Sequence, residues 1–171
     1  MGASSKDSPL RSSGLDDTGF HVMFRGQFQH SMDAKGRISL PARFRDALAA
    51  SGDPRFVLTK ALFDPCLHLY PMRAWEELEE KIAELPSMDP NVVRFRRLYI
   101  SAASECEADK AGRVLIPNTL REKTGLKKDA LWAGMGRHLE LWSAAKWEAA
   151  LELSPEEELN FKQAVLEQIK I

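Results

Sequence analysis

Residues 33–37 read DAKGR and residues 109–113 read DKAGR. Asp-x-x-Gly-Arg therefore occurs twice, each time between apolar segments and each time followed by a proline, Pro41 and Pro117. The flanks repeat as well. Asp33, Gly36, Arg37, Pro41 and Arg45 align at one constant offset with Asp109, Gly112, Arg113, Pro117 and Arg121, and Ile38 and Leu40 fall on Val114 and Ile116. Further along, LHLY at 67–70 matches LELW at 139–142, and Trp75 falls on Trp147, at a slightly smaller offset. A shared order of motifs with one short deletion is what an internal duplication leaves behind. Two copies are too few for a solenoid, so two similar units packed on one another are expected.

A chain of 171 residues holds one domain or two very small ones. With 44% hydrophobic and 29% charged residues it reads as an ordinary soluble globular protein. It has no apolar run near the roughly 18 residues a membrane span needs. Cys66 and Cys106 are too few for a disulfide framework, so a reducing cytoplasm is the default compartment. The segment at 1–22 is polar and lacks the apolar stretch of a signal peptide. It is expected to be a disordered extension, or the product of an upstream start codon with Met23 as the true start. The net charge of −1 does not advertise a nucleic-acid binder; its distribution says more, although a charge run can also be merely solvating surface. Between Met23 and Arg45, five basic residues (Arg25, Lys35, Arg37, Arg43, Arg45) face one acid, Asp33. A basic face on a neutral protein still attracts polyanions, because the local field acts within about 8 Å.

FRGQFQH at 24–30 alternates like a half-buried strand. A turn over 33–36 follows, in which aspartate can bond the backbone two residues on and glycine can take a positive φ. Strands are expected at 37–40, 55–60 and 66–70, with a short helix headed by Pro41. PMRAWEELEEKIAEL at 71–85 is a helix with Trp75, Leu78, Ile82 and Leu85 on one stripe and acids on the other face. A helix from Asp89-Pro90 through about 102 carries Val92, Phe95, Leu98 and Tyr99 inward. The second unit repeats the programme, and a last helix is expected at 154–171, capped by Ser154. A unit this small exposes too much surface to be stable alone. Interleaving the strands of two units would close the sheet into a small barrel-like core. A pseudo-twofold axis would then bring the two turns near each other on one side.

Catalysis finds little support. His21, His30, His68 and His138 share no metal-ligand spacing, and there is no CxxC or HExxH. Cys66 and His68 share a strand face, a pattern that packing explains. GMGRHLEL at 134–141 lacks the third glycine of a phosphate loop and reads as a hairpin turn. Trp75, Trp132, Trp142 and Trp147 read as core. Arg94, Arg96 and Arg97 could pair with the acidic helix or with a neighbouring subunit. No enzyme, catalytic residue, metal, cofactor or small-molecule substrate is expected. The turns are the exception. Lys35 and Arg37, and Lys110 and Arg113, put cations at or beside exposed loops. Arginine's planar fork suits phosphate and the O6/N7 edge of guanine, and a two-stranded ribbon fits the major groove. An Asp–Arg pair that merely holds each turn is compatible with both roles.

MFRGQFQHSMDAKGRISLPARFRDAL and ECEADKAGRVLIPNTLRE together resemble the MraZ transcriptional regulators, as do LTK at 58–60, LYP at 69–71 and RFRRL at 94–98. The similarity runs from about Met23 to Glu148. It implies an α+β fold: a duplicated swapped-hairpin, AbrB-like unit forming a small double-split β-barrel with flanking helices. The corresponding division is a disordered 1–22, units at 23–90 and 91–153, and a C-terminal helix at 154–171. The resemblance further implies a cytoplasmic, nucleoid-associated repressor of its own division and cell-wall gene cluster. Such a protein binds double-stranded DNA at repeated boxes upstream of its operon and assembles with itself as a ring-shaped homo-oligomer. The positions that carry over are Asp33, Lys35, Arg37, Asp109 and Arg113, with Arg43 and Lys110 added for their charge and place. In the second turn the lysine stands one position earlier than Lys35, so the first turn is expected to be the stronger base reader. The alternative is a ring-forming interaction scaffold or an antitoxin-like partner-binding module.

Overall fold

The computed structural model describes residues 23–170; the expected disordered extension at 1–22 lies outside the described residues. The first repeat supplies β1 (Gln27–Ser31), β2 (Arg37–Ser39), α1 (Ala42–Ala50), β3 (Phe56–Lys60), β4 (Cys66–Pro71) and α2 (Met72–Ala83). A linking helix, α3 (Pro90–Phe95), runs directly into a wider π-type turn (Arg96–Ile100). The second repeat supplies β5 (Ser104–Cys106), β6 (Arg113–Leu115), α4 (Asn118–Thr124), β7 (Asp129–Gly134), β8 (Leu139–Ser143) and α5 (Ala144–Leu151). The chain ends in α6 (Pro155–Phe161), carried on by a π-type segment (Lys162–Leu166) into α7 (Glu167–Ile169). The fold is mixed α+β.

The two repeats do exchange strands. The main sheet is antiparallel, in the order β1-β7-β8-β4-β3-β5, and β2 pairs with β6 in a separate ribbon. Each repeat thus sends its first strand to the far edge of the other repeat's strand pair. Exchanging the repeats turns the strand order into itself, so a pseudo-twofold axis passes between β4 and β8. The same axis passes through the ribbon at the pair Ile38↔Val114. β3 and β8 are buried along nearly their whole length, as expected for strands covered on both faces. On one face Phe56, Leu58, Leu67, Leu69, Trp132, Leu139 and Leu141 meet Ile38 and Val114 of the ribbon, Phe44 of α1 and Leu120 of α4. On the other, α2 and the π-type turn pack Trp75 and Tyr99 against Val57, while α5 packs Trp147 against Trp142, Leu131 and Cys66. All four tryptophans are core residues.

Local signals explain most boundaries. Pro41 and Pro117 precede α1 and α4 in extended geometry. The side chain of Asp89 accepts from Asn91 N (2.7 Å), and Ser154 forms a capping box with Glu157. Two expectations need correction. The second helix stops at Ala83, which leaves Leu85 beyond it and 47% exposed. Leu98 does not point inward and is 57% exposed, whereas Tyr99 is buried. The π-type turn holds more residues per turn than an α-helix and so rotates Leu98 off the stripe that begins at Val92 and Phe95.

Candidate nucleic-acid interface

The two DxxGR turns are built from the same bonds. In the first, Asp33 Oδ1 accepts from the backbone N–H groups of Lys35 and Arg37, each at 2.9 Å. Its Oδ2 accepts from Arg37 Nε at 2.7 Å. In the second, Asp109 Oδ1 accepts from Ala111 N and Arg113 N, each at 2.9 Å, and Oδ2 from Arg113 Nε at 2.9 Å. Gly36 (φ 84°) and Gly112 (φ 75°) take the left-handed conformation that closes each loop. Both carboxyls are held below the usual aspartate value. The largest cause is the backbone N–H of the turn arginine; burial opposes it, and the guanidinium adds to the lowering. The Asp–Arg pair therefore does hold the turn, and it does so through Nε alone. The Nη1 and Nη2 atoms of Arg37 and Arg113 have no hydrogen-bond partner among the described residues.

The strands beside each turn do not form a hairpin ladder, as a ribbon built within one unit would require. β1 leaves for the main sheet and β2 pairs with β6, so the ribbon takes one strand from each repeat. Its register is Arg37↔Leu115, Ile38↔Val114 and Ser39↔Arg113. Ile38 and Val114 are fully buried, so the pleat turns Arg37, Ser39, Arg113 and Leu115 to the outer face. The turns cap opposite ends of the ribbon. Their arginines nevertheless meet on one face as a diagonal pair, whose separation in such a ladder is roughly 7–8 Å.

Each turn is braced by the other repeat. Ile116 N donates to Gly36 O (2.8 Å) and Leu40 N to Gly112 O (2.9 Å). The Arg121 side chain crosses Gly36 so closely that a Cβ there would lie 2.7 Å from its Nε, and Arg45 lies against Gly112 in the same way. Arg121 Nε also donates to Ile116 O at 3.1 Å. Glycine is thus required in both turns for φ, and each arginine packs into the room the missing side chain leaves. Among the expected site residues, the structure brings Asp33, Arg37, Asp109 and Arg113 into this one arrangement. Lys35 and Lys110 are exposed in the two turns, and Arg43 is exposed on α1. Arg45 and Arg121 were visible in the repeat alignment, but not that each would reach across to the opposite turn. Lys127 and Lys128 were missed altogether. With Arg121 and Asp33 they line a cleft of about 450 Å³ beside the first turn. Of the ambiguous arginines, Arg96 donates to Ile82 O (3.2 Å) at the end of α2.

Comparison with known proteins gives one consistent result. The family model described as "MraZ protein, putative antitoxin-like" matches twice, over residues 23–98 and 99–168. A protein of Halothermothrix orenii named "Transcriptional regulator MraZ" is 44% identical over 149 residues, covering 87% of this chain and all of the relative. One of the same name from Desulforamulus reducens is 43% identical over 141 residues, covering 82% and 94%. Another from Pelotomaculum thermopropionicum is 48% identical over 126 residues, covering 74% and 83%.

Proposed function

The chain belongs to the MraZ family, and from that premise we propose that it is a transcription regulator that binds double-stranded DNA through the outer face of the β2–β6 ribbon. One observation carries this reading. Arg37 and Arg113 share that face, each held by its own aspartate through Nε, with Nη1 and Nη2 free of hydrogen-bond partners among the described residues. A guanidinium held in this way has already lost its rotamer freedom and offers two parallel N–H donors. That arrangement suits a phosphate or the O6/N7 edge of guanine. Asp33 and Asp109 act as positioning residues. Lys35, Lys110 and Arg43, with Arg45, Arg121, Lys127 and Lys128, supply the surrounding positive field.

The finer assignments follow the family. We read the exchanged strands as a double-split, swapped-hairpin barrel of two AbrB-like units, 23–90 and 91–153, with the helix at 154–171 as a separate appendage. The protein is assigned to the cytoplasm and the nucleoid, as a repressor of its own division and cell-wall operon. No helix among the described residues is long and apolar enough to cross a membrane. The sharpest test is a titration at physiological salt of a duplex taken from upstream of the chain's own reading frame, against a shuffled duplex of equal length. Preferential binding of the upstream duplex, weakening as salt rises, is expected. Equal binding to both duplexes would contradict sequence-specific regulation.

A second reading, the ring-forming scaffold or antitoxin-like module, is favoured by a different observation. A groove of about 530 Å³ between α2 and α3 exposes mainly apolar surface from Ile82, Ala83, Val93 and Ile100, with Glu79, Arg96, Arg97 and Ser101 also in its lining. Such a surface suits a neighbouring copy in a ring, and a ring would also let several ribbons engage repeated boxes together. The two readings part on the upstream duplex: a pure scaffold ignores it.

A further inference from the structure

On the sheet face away from the ribbon, three metal-binding side chains lie together, and a fourth, His138, borders them. Cys66 and His68 alternate along β4, and β8 pairs with it so that His68 stands opposite Glu140 and Cys66 opposite Trp142. Ligand atoms of Cys66, His68 and Glu140 lie within 4.8 Å of one another. His68 Nε2 is 3.5 Å from Glu140 Oε1, and His138 Nε2 is 3.8 Å from the same oxygen. The two histidine–glutamate separations match a tetrahedral site, where ligands bonded at 2.0–2.3 Å stand roughly 3.3–3.8 Å apart, and the Cys66 sulfur would have to move in from within 4.8 Å. We propose that Cys66, His68, His138 and Glu140 form a site for a zinc-type divalent cation that clips β4 of the first repeat to β8 of the second.

The surrounding hydrogen bonds orient each ligand toward that point. Trp142 Nε1 donates to Glu140 Oε2 (2.8 Å), which leaves Oε1 facing the two imidazoles. Tyr99 Oη lies 3.2 Å from Tyr70 Oη and is hydrogen-bonded to His68 Nδ1 at 2.6 Å, which fixes the imidazole by that nitrogen. His68 Nε2 is then the ring nitrogen that faces the Glu140 carboxylate. His138 Nε2 converges on the same oxygen and is buried without a hydrogen-bond partner among the described residues. An outer partner on the second ring nitrogen is the usual support of a metal-bound histidine. Burial, and then the charge of Glu140, push the Cys66 thiol up. A bound metal reverses this by taking the thiolate, and the thiol proton passes to bulk solvent. The histidine side chains, 16% and 20% exposed, leave an entry path.

The test uses the full chain, stripped with chelator and titrated with Co²⁺. One equivalent should give tetrahedral d–d bands and a thiolate-to-cobalt charge-transfer band, and Zn²⁺ should raise Tm. Cys66→Ser should abolish the charge-transfer band. Because Cys66 is fully buried, His138→Ala serves as the second variant. It should weaken Zn²⁺ binding by more than the roughly 10–100-fold that loss of an outer partner costs. His30→Ala, on β1, should change nothing. Absence of the bands and of the Tm shift would overturn the proposal and leave an ordinary hydrogen-bonded cluster. Stoichiometric binding that survives in both ligand variants would place the metal elsewhere and overturn it equally.

Discussion

The double variant Arg37→Ala with Arg113→Ala is expected to lose affinity for the upstream duplex by about 1–3 kcal/mol at each position if the arginines meet base edges, with relaxed sequence preference. If they meet only phosphate, binding should fall alike on all duplexes and the salt slope should drop by about two. Of the single variants, Arg37→Ala should cost more, because each turn has its own lysine but exposed Glu107 lies on the approach to the second. The difference should be small. Glu105, the other acid on that approach, is taken up by Arg55 (3.1 Å). Arg96→Ala, which removes a bond to the end of α2, should leave DNA affinity unchanged. Circular dichroism and light scattering must first show folded variants of wild-type assembly, since each arginine also closes its turn. A folded double variant that binds as the wild type does would make both turns purely structural.

Trp132→Ala is expected to cost about 3–5 kcal/mol of folding stability, read from the midpoint of a denaturant curve. Trp132 is fully buried in the middle of β7, and its Nε1 donates to Ser39 O at 3.1 Å, so it joins the main sheet to the ribbon. Truncation would leave a cavity under Ile38 and Val114 and orphan the Ser39 carbonyl. Trp132→Phe, which keeps most of the packing, should cost about 1 kcal/mol for the lost hydrogen bond. It should also loosen the arginine face. Wild-type stability of Trp132→Ala would show that the ribbon does not depend on this contact.

The duplication and the turns were legible because their determinants are local. An aspartate that bonds the N–H two residues on, a glycine at positive φ and a proline before a helix specify the same loop wherever they occur. Strand partners were not legible in the same way. The alternation of Phe24 and Phe28 says which side chains turn inward, but not that β1 crosses to β7. The arginines could be named from sequence, yet their sharing of one face depends on the β2–β6 register, in which Ile38 faces Val114. Arg121 over Gly36 is a contact between repeats, and nothing near either residue announces it. The same holds on the opposite face. Cys66 and His68 were seen as strand neighbours without a partner set, because Glu140 and His138 reach them only through the β4–β8 pairing. Leu98 shows the converse failure, where a regular helical period was extended through a turn that is not α-helical.

The placement of DNA on the ribbon is tested most directly at Ser39, on the outer face between the two arginines and half-buried. A Ser39→Cys chain, in a Cys106→Ser background and carrying an iron chelate, should cut the bound upstream duplex at positions confined to its repeated boxes. The same chelate at Glu79→Cys, on exposed α2 at the opposite face of the sheet, should not. Cleavage from position 39 alone is the predicted result. Cleavage from position 79 with none from position 39, in complexes that form normally, would contradict it and move the DNA to the other side of the molecule.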